Sequence, residues 1–152
     1  MPDIFTPEKR SQVMARIRGS GNKDTELRLM ALFREHKITG WRRNRRAVFG
    51  RPDFVFPKER VAVFVDGCFW HRHPGCRFAY VPKSRLDFWL RKFEQNVARD
   101  RLVTRTLRKL GWKVIRVWEC DLGRKYRERV AGRIVRALAT RMLPMSPGIA
   151  DK

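Results

Sequence analysis

Apolar positions recur along the chain with two different periods, and each change of period marks an element. From Asp24 or Thr25, either of which can act as an N-cap, Leu27, Leu29, Met30, Leu32 and Phe33 predict a helix to about His36. Upstream, Thr6-Pro7 pairs a capping residue with a proline at the first helical position and predicts a basic helix over about 7–18. Gly19-Ser20-Gly21 breaks the chain between the two. A basic stretch, Trp41 to Arg46, leads into Val48-Phe49, and the helical period then gives way to two short apolar runs, Asp53 to Phe56 and Val61 to Val65. The second is continuous, as in a strand covered on both faces. Gly67 to Pro82 keeps neither period and reads as an irregular loop rich in Cys, His, Trp and Pro.

Helical spacing returns after Ser84, the expected cap of the longest helix, with Leu86, Trp89, Leu90, Phe93, Val97, Leu107 and Leu110, and Gly111 at the C′ position. Trp112 to Trp118 alternates and predicts a third core strand; a last helix is expected from about Lys125 to Met142 through Val130, Ile134 and Leu138. The residues 144–152 are expected to fray. The order ααββαβα predicts an α/β fold with a mixed central sheet flanked by helices, in a single domain over 1–143. No internal repeat appears, and 152 residues suffice to bury about 70% of the unfolded surface.

Composition narrows the function. Thirty-six Lys and Arg against 15 Asp and Glu give a formal net charge of +21. So much like charge opposes compaction, and a polyanionic partner accounts for keeping it. A ribosomal-type structural protein would share this charge; a membrane-surface binder fits less well, since no long apolar run or detached basic amphipathic segment accompanies it. The stretch from Met1 to Glu8 has neither a basic n-region nor an apolar h-region, so a cytoplasmic, reducing location is expected. Three cysteines there point to metal or reactivity rather than disulfides.

Two constellations carry chemistry. Gly50-Arg-Pro-Asp53 places a carboxylate at the head of one strand, and Val65-Asp66-Gly67 ends the next, so a hairpin would bring Asp53 to a spot where a hard cation can bind oxygen ligands. Trp89, Phe93, Asn96 and Asp100 share one helix face, which turns Asp100 inward; Glu26 lies beside Leu29, Met30 and Phe33. Taken singly, each acid has an ordinary explanation: a turn residue, an ion pair, a favourable charge in a first helical turn. In the second constellation, Cys68, His71, His73 and Cys76 fall within nine residues, and Cys120 closes the third strand. Three Cys and one His complete a tetrahedral structural zinc site. His73, nearer Cys76, is assigned to the metal, and His71 to general-base catalysis. Phe69 and Trp70 on this loop read either as core or as wedges that part base pairs.

Together Asp53-Phe-Val, Val65-Asp-Gly-Cys-Phe-Trp-His71, Phe88-Trp89 with Asn96-Val-Ala-Arg-Asp100, and Gly111-Trp-Lys-Val-Ile-Arg-Val-Trp-Glu-Cys120 resemble the very-short-patch mismatch repair endonucleases, over roughly residues 8 to 122. The resemblance implies a restriction-endonuclease-like core and a magnesium-dependent nick in one strand of double-stranded DNA beside a T·G mismatch left by deaminated 5-methylcytosine. It further implies magnesium on Asp53 and the Val65 backbone carbonyl, His71 as the catalytic histidine, and Glu26, Asp66 and Asp100 as supporting acids. Cys68, His73, Cys76 and Cys120 match its zinc ligands; Phe69, Trp70 and Trp89 match its mismatch-inserting aromatics. One copy is expected on the DNA.

There are departures. Asp66 stands where some members carry histidine, and the loop has an extra residue between His73 and Cys76. Val65 and Gly67 replace the second carboxylate and lysine of the broader nuclease pattern. Competing readings are a nuclease of the same core with another DNA target, and a zinc-stabilised DNA-binding module without catalysis.

Overall fold

The computed structural model describes residues 23–140. The helix expected over 7–18, the break after it and the tail from 144 lie outside the described residues. Within them run α1 (Lys23–Glu35), β1 (Arg42–Arg43), β2 (Phe54–Phe56), β3 (Val61–Asp66), α2 (Leu86–Lys109), β4 (Lys113–Trp118), a 3-10 turn (Glu119–Leu122) and α3 (Arg127–Ala139). The strands form one mixed sheet in the order β1-β2-β3-β4. The first two pairings are antiparallel, and β3 with β4 is parallel, joined by the crossover through α2.

The continuous apolar run of β3 is explained by helices on both sheet faces. Val61 and Val63 enter a core with Leu29, Phe33 and Ile134, from α1 and α3. Ala62 and Phe64 point the other way, into a core with Val103 and Leu107 of α2. Phe33 meets Phe54 and Phe56 edge-on, with centroids 5.2 and 5.7 Å apart. Each such side chain contributes roughly 1.5–3 kcal/mol by leaving water. No helix among the described residues is long and apolar enough to cross a membrane.

The structure corrects several details. Arg42 and Arg43, read as part of a connecting stretch, pair with Val55 and Phe54 as an exposed edge strand. Arginine has no strand signature there; the pairing arises because β2 needs a second neighbour, and charge on an edge discourages further pairing. Leu27, Leu86, Leu90 and Leu110 are exposed rather than turned to the core. The inward stripe of α2 is instead Trp89, Phe93, Val103 and Leu107, with Asn96 and Asp100 half-buried between them. Leu90 lies one residue off that stripe, and Leu86 and Leu110 flank it at the helix ends. Arg85, in the left-handed conformation, takes the N-cap position expected for Ser84, since the Trp89 N–H donates to the Arg85 carbonyl at 3.2 Å. Gly111 does occupy the C′ position, at φ +86°. Residues 124–126 form turns, so α3 begins at Arg127 rather than Lys125.

Candidate active site and metal centre

The open end of the sheet between β2, β3 and α2 holds a cavity of about 410 Å³, lined by Asp53, Asp66, His71, Asp100 and Arg116 among others. Antiparallel pairing of β2 with β3 brings Asp53, one residue before β2, to the end of β3, where the Val65 N–H donates to its Oδ2 at 2.7 Å. Glu26 comes from the inner face of α1 and is 2% exposed. Arg43 on β1 donates to its Oε2 at 2.6 Å, while Oε1 is buried with no hydrogen-bond partner. Burial pushes the Asp53 carboxyl up to about 7; the Val65 N–H opposes this, and the charges of Glu26 and Asp66 add to it. Two neighbouring buried acids suit a hard divalent cation, whose oxygen ligands are of this type.

Across the same cavity, Asp66, His71 and Asp100 converge from the end of β3, the following loop and α2, with ligand atoms all within 4.8 Å of one another. His71 Nδ1 lies 2.6 Å from Asp100 Oδ2 and 3.8 Å from Asp66 Oδ1. Burial disfavours the charged imidazole, but the Asp100 hydrogen bond and then the charges of Asp66 and Asp100 outweigh it and raise the His71 pKa. With Nδ1 held by a carboxylate, Nε2 is the nitrogen left to exchange a proton in the cavity. Burial likewise raises Asp66, partly offset by Arg116 and His71.

The second cluster is one that could hold a metal ion. Cys68, His73, Cys76 and Cys120 bring one ligand atom each within 4.8 Å of all the others. The 3-10 turn after β4 returns Cys120 to the loop, 3.3 Å from His73 Nδ1. Trp118 stacks on the His73 ring with centroids 4.2 Å apart, fixing its plane. Burial, with Cys120 and Cys76 close by, pushes the Cys68 thiol up to about 12, a group that ionises only against a cation. Three thiols and one imidazole at this spacing are the donor set of a tetrahedral zinc site.

Between the two sites lies an aromatic cluster. Phe69 touches Trp70, Tyr80, Trp89 and Phe93 at centroid distances of 5.1 to 5.4 Å. Phe69 and Trp70 are half-buried, whereas Trp89 is 6% exposed beneath them. Asn96 donates to the Trp70 carbonyl at 3.1 Å and so ties the loop to α2.

Three arginines with no distinguishing signal in the sequence prove central. Arg72, between the two histidines, donates to the carbonyls of Phe69, Ala79 and Tyr80 and lies 3.9 Å over the Phe93 ring. Arg43 pairs with Glu26, and Arg116 with Asp66. Arg43 and Arg116 stand out of 36 basic residues only once the sheet register is known, and Arg72 only once the loop around it is folded.

The sequence model of the family described as DNA mismatch endonuclease Vsr matches residues 2–77. Among similar proteins is the type II nicking enzyme V.XorIIP of Xanthomonas oryzae, 44% identical over 123 residues, covering 80% of this chain and 88% of the relative. The type II nicking enzyme V.NmeAIP of Neisseria meningitidis is 42% identical over 140 residues, 91% of this chain and 97% of the relative. The DNA mismatch endonuclease Vsr of Escherichia coli is 40% identical over 124 residues, 80% and 76% respectively.

Proposed function

The chain belongs to the Vsr family and is a DNA nicking endonuclease; from that premise we propose that it cuts one strand beside a T·G mismatch in a magnesium-dependent reaction, on a restriction-endonuclease-like core stiffened by zinc. The observation that carries the reading is the pairing, across one cavity, of an acid site and a carboxylate-held histidine. Asp53 and Glu26 form the acid site, with the Glu26 Oε1 unsatisfied; Asp100 holds His71 at 2.6 Å.

Asp53 is the residue that would hold magnesium, with Glu26 beside it and the Val65 carbonyl as a further oxygen. A cation there supplies neutralisation of phosphate charge and polarisation of the phosphodiester. The chain's own part is proton transfer and positioning. Asp100 fixes His71 by Nδ1, so that Nε2 takes the proton of the attacking water as the new O–P bond forms and the bridging oxygen leaves the phosphorus. Asp66 adds negative charge that stabilises the resulting imidazolium. Cys68, His73, Cys76 and Cys120 would hold zinc, which would pin the loop that carries His71, Phe69 and Trp70. Phe69 and Trp70, half-buried at the cavity side, insert beside the mismatch, and Trp89 braces them from below.

Support for the T·G target comes from the E. coli relative's name as a mismatch endonuclease, and from the aromatic cluster beside the cavity. The other two relatives are named nicking enzymes with no mismatch in the name, which favours the competing reading of a nuclease of the same core with another DNA target. Asp53→Asn and His71→Ala test the machinery. Both should lose nicking while binding a T·G duplex nearly as the parent does, because affinity is spread over many basic residues. Wild-type nicking by Asp53→Asn in magnesium would refute the site.

A further inference from the structure

Nothing in the reading above uses Arg116, which nonetheless sits at the centre of the site. It lies on β4 opposite Phe64 of β3, and its guanidinium is 4.4 Å over the Phe64 ring. Every arm of the fork is engaged. Nη1 donates to both oxygens of Asp66 at 3.0 and 3.1 Å. Nη2 donates to the Asp100 backbone carbonyl at 3.1 Å, and Nε to the Thr104 hydroxyl at 2.9 Å. The Arg116 carbonyl in turn accepts from Arg133 on α3 at 3.2 Å.

We propose that Arg116 is a positioning residue for His71: it hydrogen-bonds the Asp66 carboxylate, stands 3.7 Å from the Asp100 carboxylate on the other side of the imidazole, and locks α2 to the sheet at the Asp100 carbonyl. The inference rests on His71 acting in the chemistry. Asp66 and Asp100 face His71 from different elements, and two carboxylates this close repel each other. Asp66, His71 and Asp100 converge at a spacing that can hold a cation, and the cation built into the fold is the guanidinium. One nitrogen, Nη1, serves both Asp66 oxygens while Nη2 and Nε hold Asp100 and Thr104, so the planar group fixes direction as well as charge. Four of the five N–H donors of the guanidinium are committed to Asp66, Asp100 and Thr104, which separates Arg116 from Arg51, Lys92 and Arg99, the other basic residues lining the cavity.

Three readouts on Arg116→Ala and Arg116→Lys decide. The first is the single-turnover nicking rate at saturating protein on a T·G duplex in magnesium. The second is affinity for that duplex against salt concentration. The third is the downfield proton resonance of the His71 Nδ1–H, assigned by its loss in His71→Ala. Both variants should nick about 10- to 100-fold more slowly, the range found when outer partners of a site are removed. Duplex affinity and its salt slope should be unchanged, and the resonance should be lost or shifted while the melting curve stays cooperative. Lysine can keep the charge near Asp66 but not the hold on Asp100 and Thr104, so it carries the test if the alanine variant does not fold. Wild-type rates in a folded variant would overturn the proposal. So would a slow variant that keeps the resonance, or a salt slope reduced by about one, the mark of a lost phosphate contact. If His71→Ala itself nicks at the parent's rate, the reading of the site fails; if only the Arg116 variants do, the positioning role alone fails.

Discussion

A carboxyl group buried beside a second acid weakens the fold unless something neutralises it, and Asp53 is such a group. Its pKa in the fold, about 7, lies above the ordinary 3.8, so between those values the folded state keeps a proton the unfolded chain has released. Stability therefore falls as pH rises through that interval and stays lowered above it. In magnesium-free buffer at pH 8, Asp53→Asn should be the more stable protein by on the order of a few kcal/mol, the difference shrinking toward pH 5. Added magnesium should narrow the gap by stabilising the parent alone. Parallel melting curves at every pH would contradict the burial argument. The aromatics divide in a similar way. Trp89, 6% exposed and stacked with Phe93, should cost roughly 3–5 kcal/mol of stability on change to alanine. Phe69→Ala and Trp70→Ala should instead reduce discrimination between T·G and T·A duplexes, because inserting a ring costs a few kcal/mol per step and less at a weakened pair. Unchanged discrimination in well-folded variants would remove the wedge role.

At the scale of elements, α2 does most to assemble the site, since one face carries Trp89, Phe93, Asn96 and Asp100 before burying Val103 and Leu107 in the sheet. That face was legible, because a 4-3-4 spacing of large residues has one interpretation on a helix. The exposed Leu86, Leu90 and Leu110 were not, as periodicity cannot say where a helix overhangs its sheet. β3 was legible from its continuous apolar run, and the three cysteines with one histidine from residue type and spacing, with His73 preferred to His71 for its nearness to Cys76. Arg43 and Arg116 stayed hidden, since a basic residue in a chain with 36 of them carries no information until the register across β1, β3 and β4 is known. The segment before β2 depends on α2 too. Gly50 has φ +77°, and a Cβ there would lie 2.3 Å from Val103 Cγ1. Gly50→Ala should push the 48–53 segment off the helix, costing about 1–3 kcal/mol as overpacking does, and should displace Asp53 enough to slow nicking. Melting and nicking unaltered by that change would show that the segment yields without moving the site.

For the whole molecule, a net charge of +21 on 152 residues makes DNA affinity a matter of counterion release, so binding should weaken steeply with salt for matched and mismatched duplexes alike. Charge therefore brings the protein to DNA but does not choose the place. On the function proposed above, choice falls to the loop carrying Cys68, His73 and Cys76, which joins the aromatic cluster to His71. The purified protein should carry about one equivalent of zinc, matching one tetrahedral set. Cys120→Ser should lower both metal content and melting temperature, and metal analysis that finds none in active protein would dismiss the zinc. The most direct test of the account as a whole is strand-resolved nicking of three duplexes that differ at one pair, T·G, T·A and C·G, in magnesium and at a salt concentration where all three bind. The account predicts a single cut beside the mismatched thymine in the T·G duplex, with the T·A and C·G duplexes cut far more slowly; equal cutting of all three would contradict it.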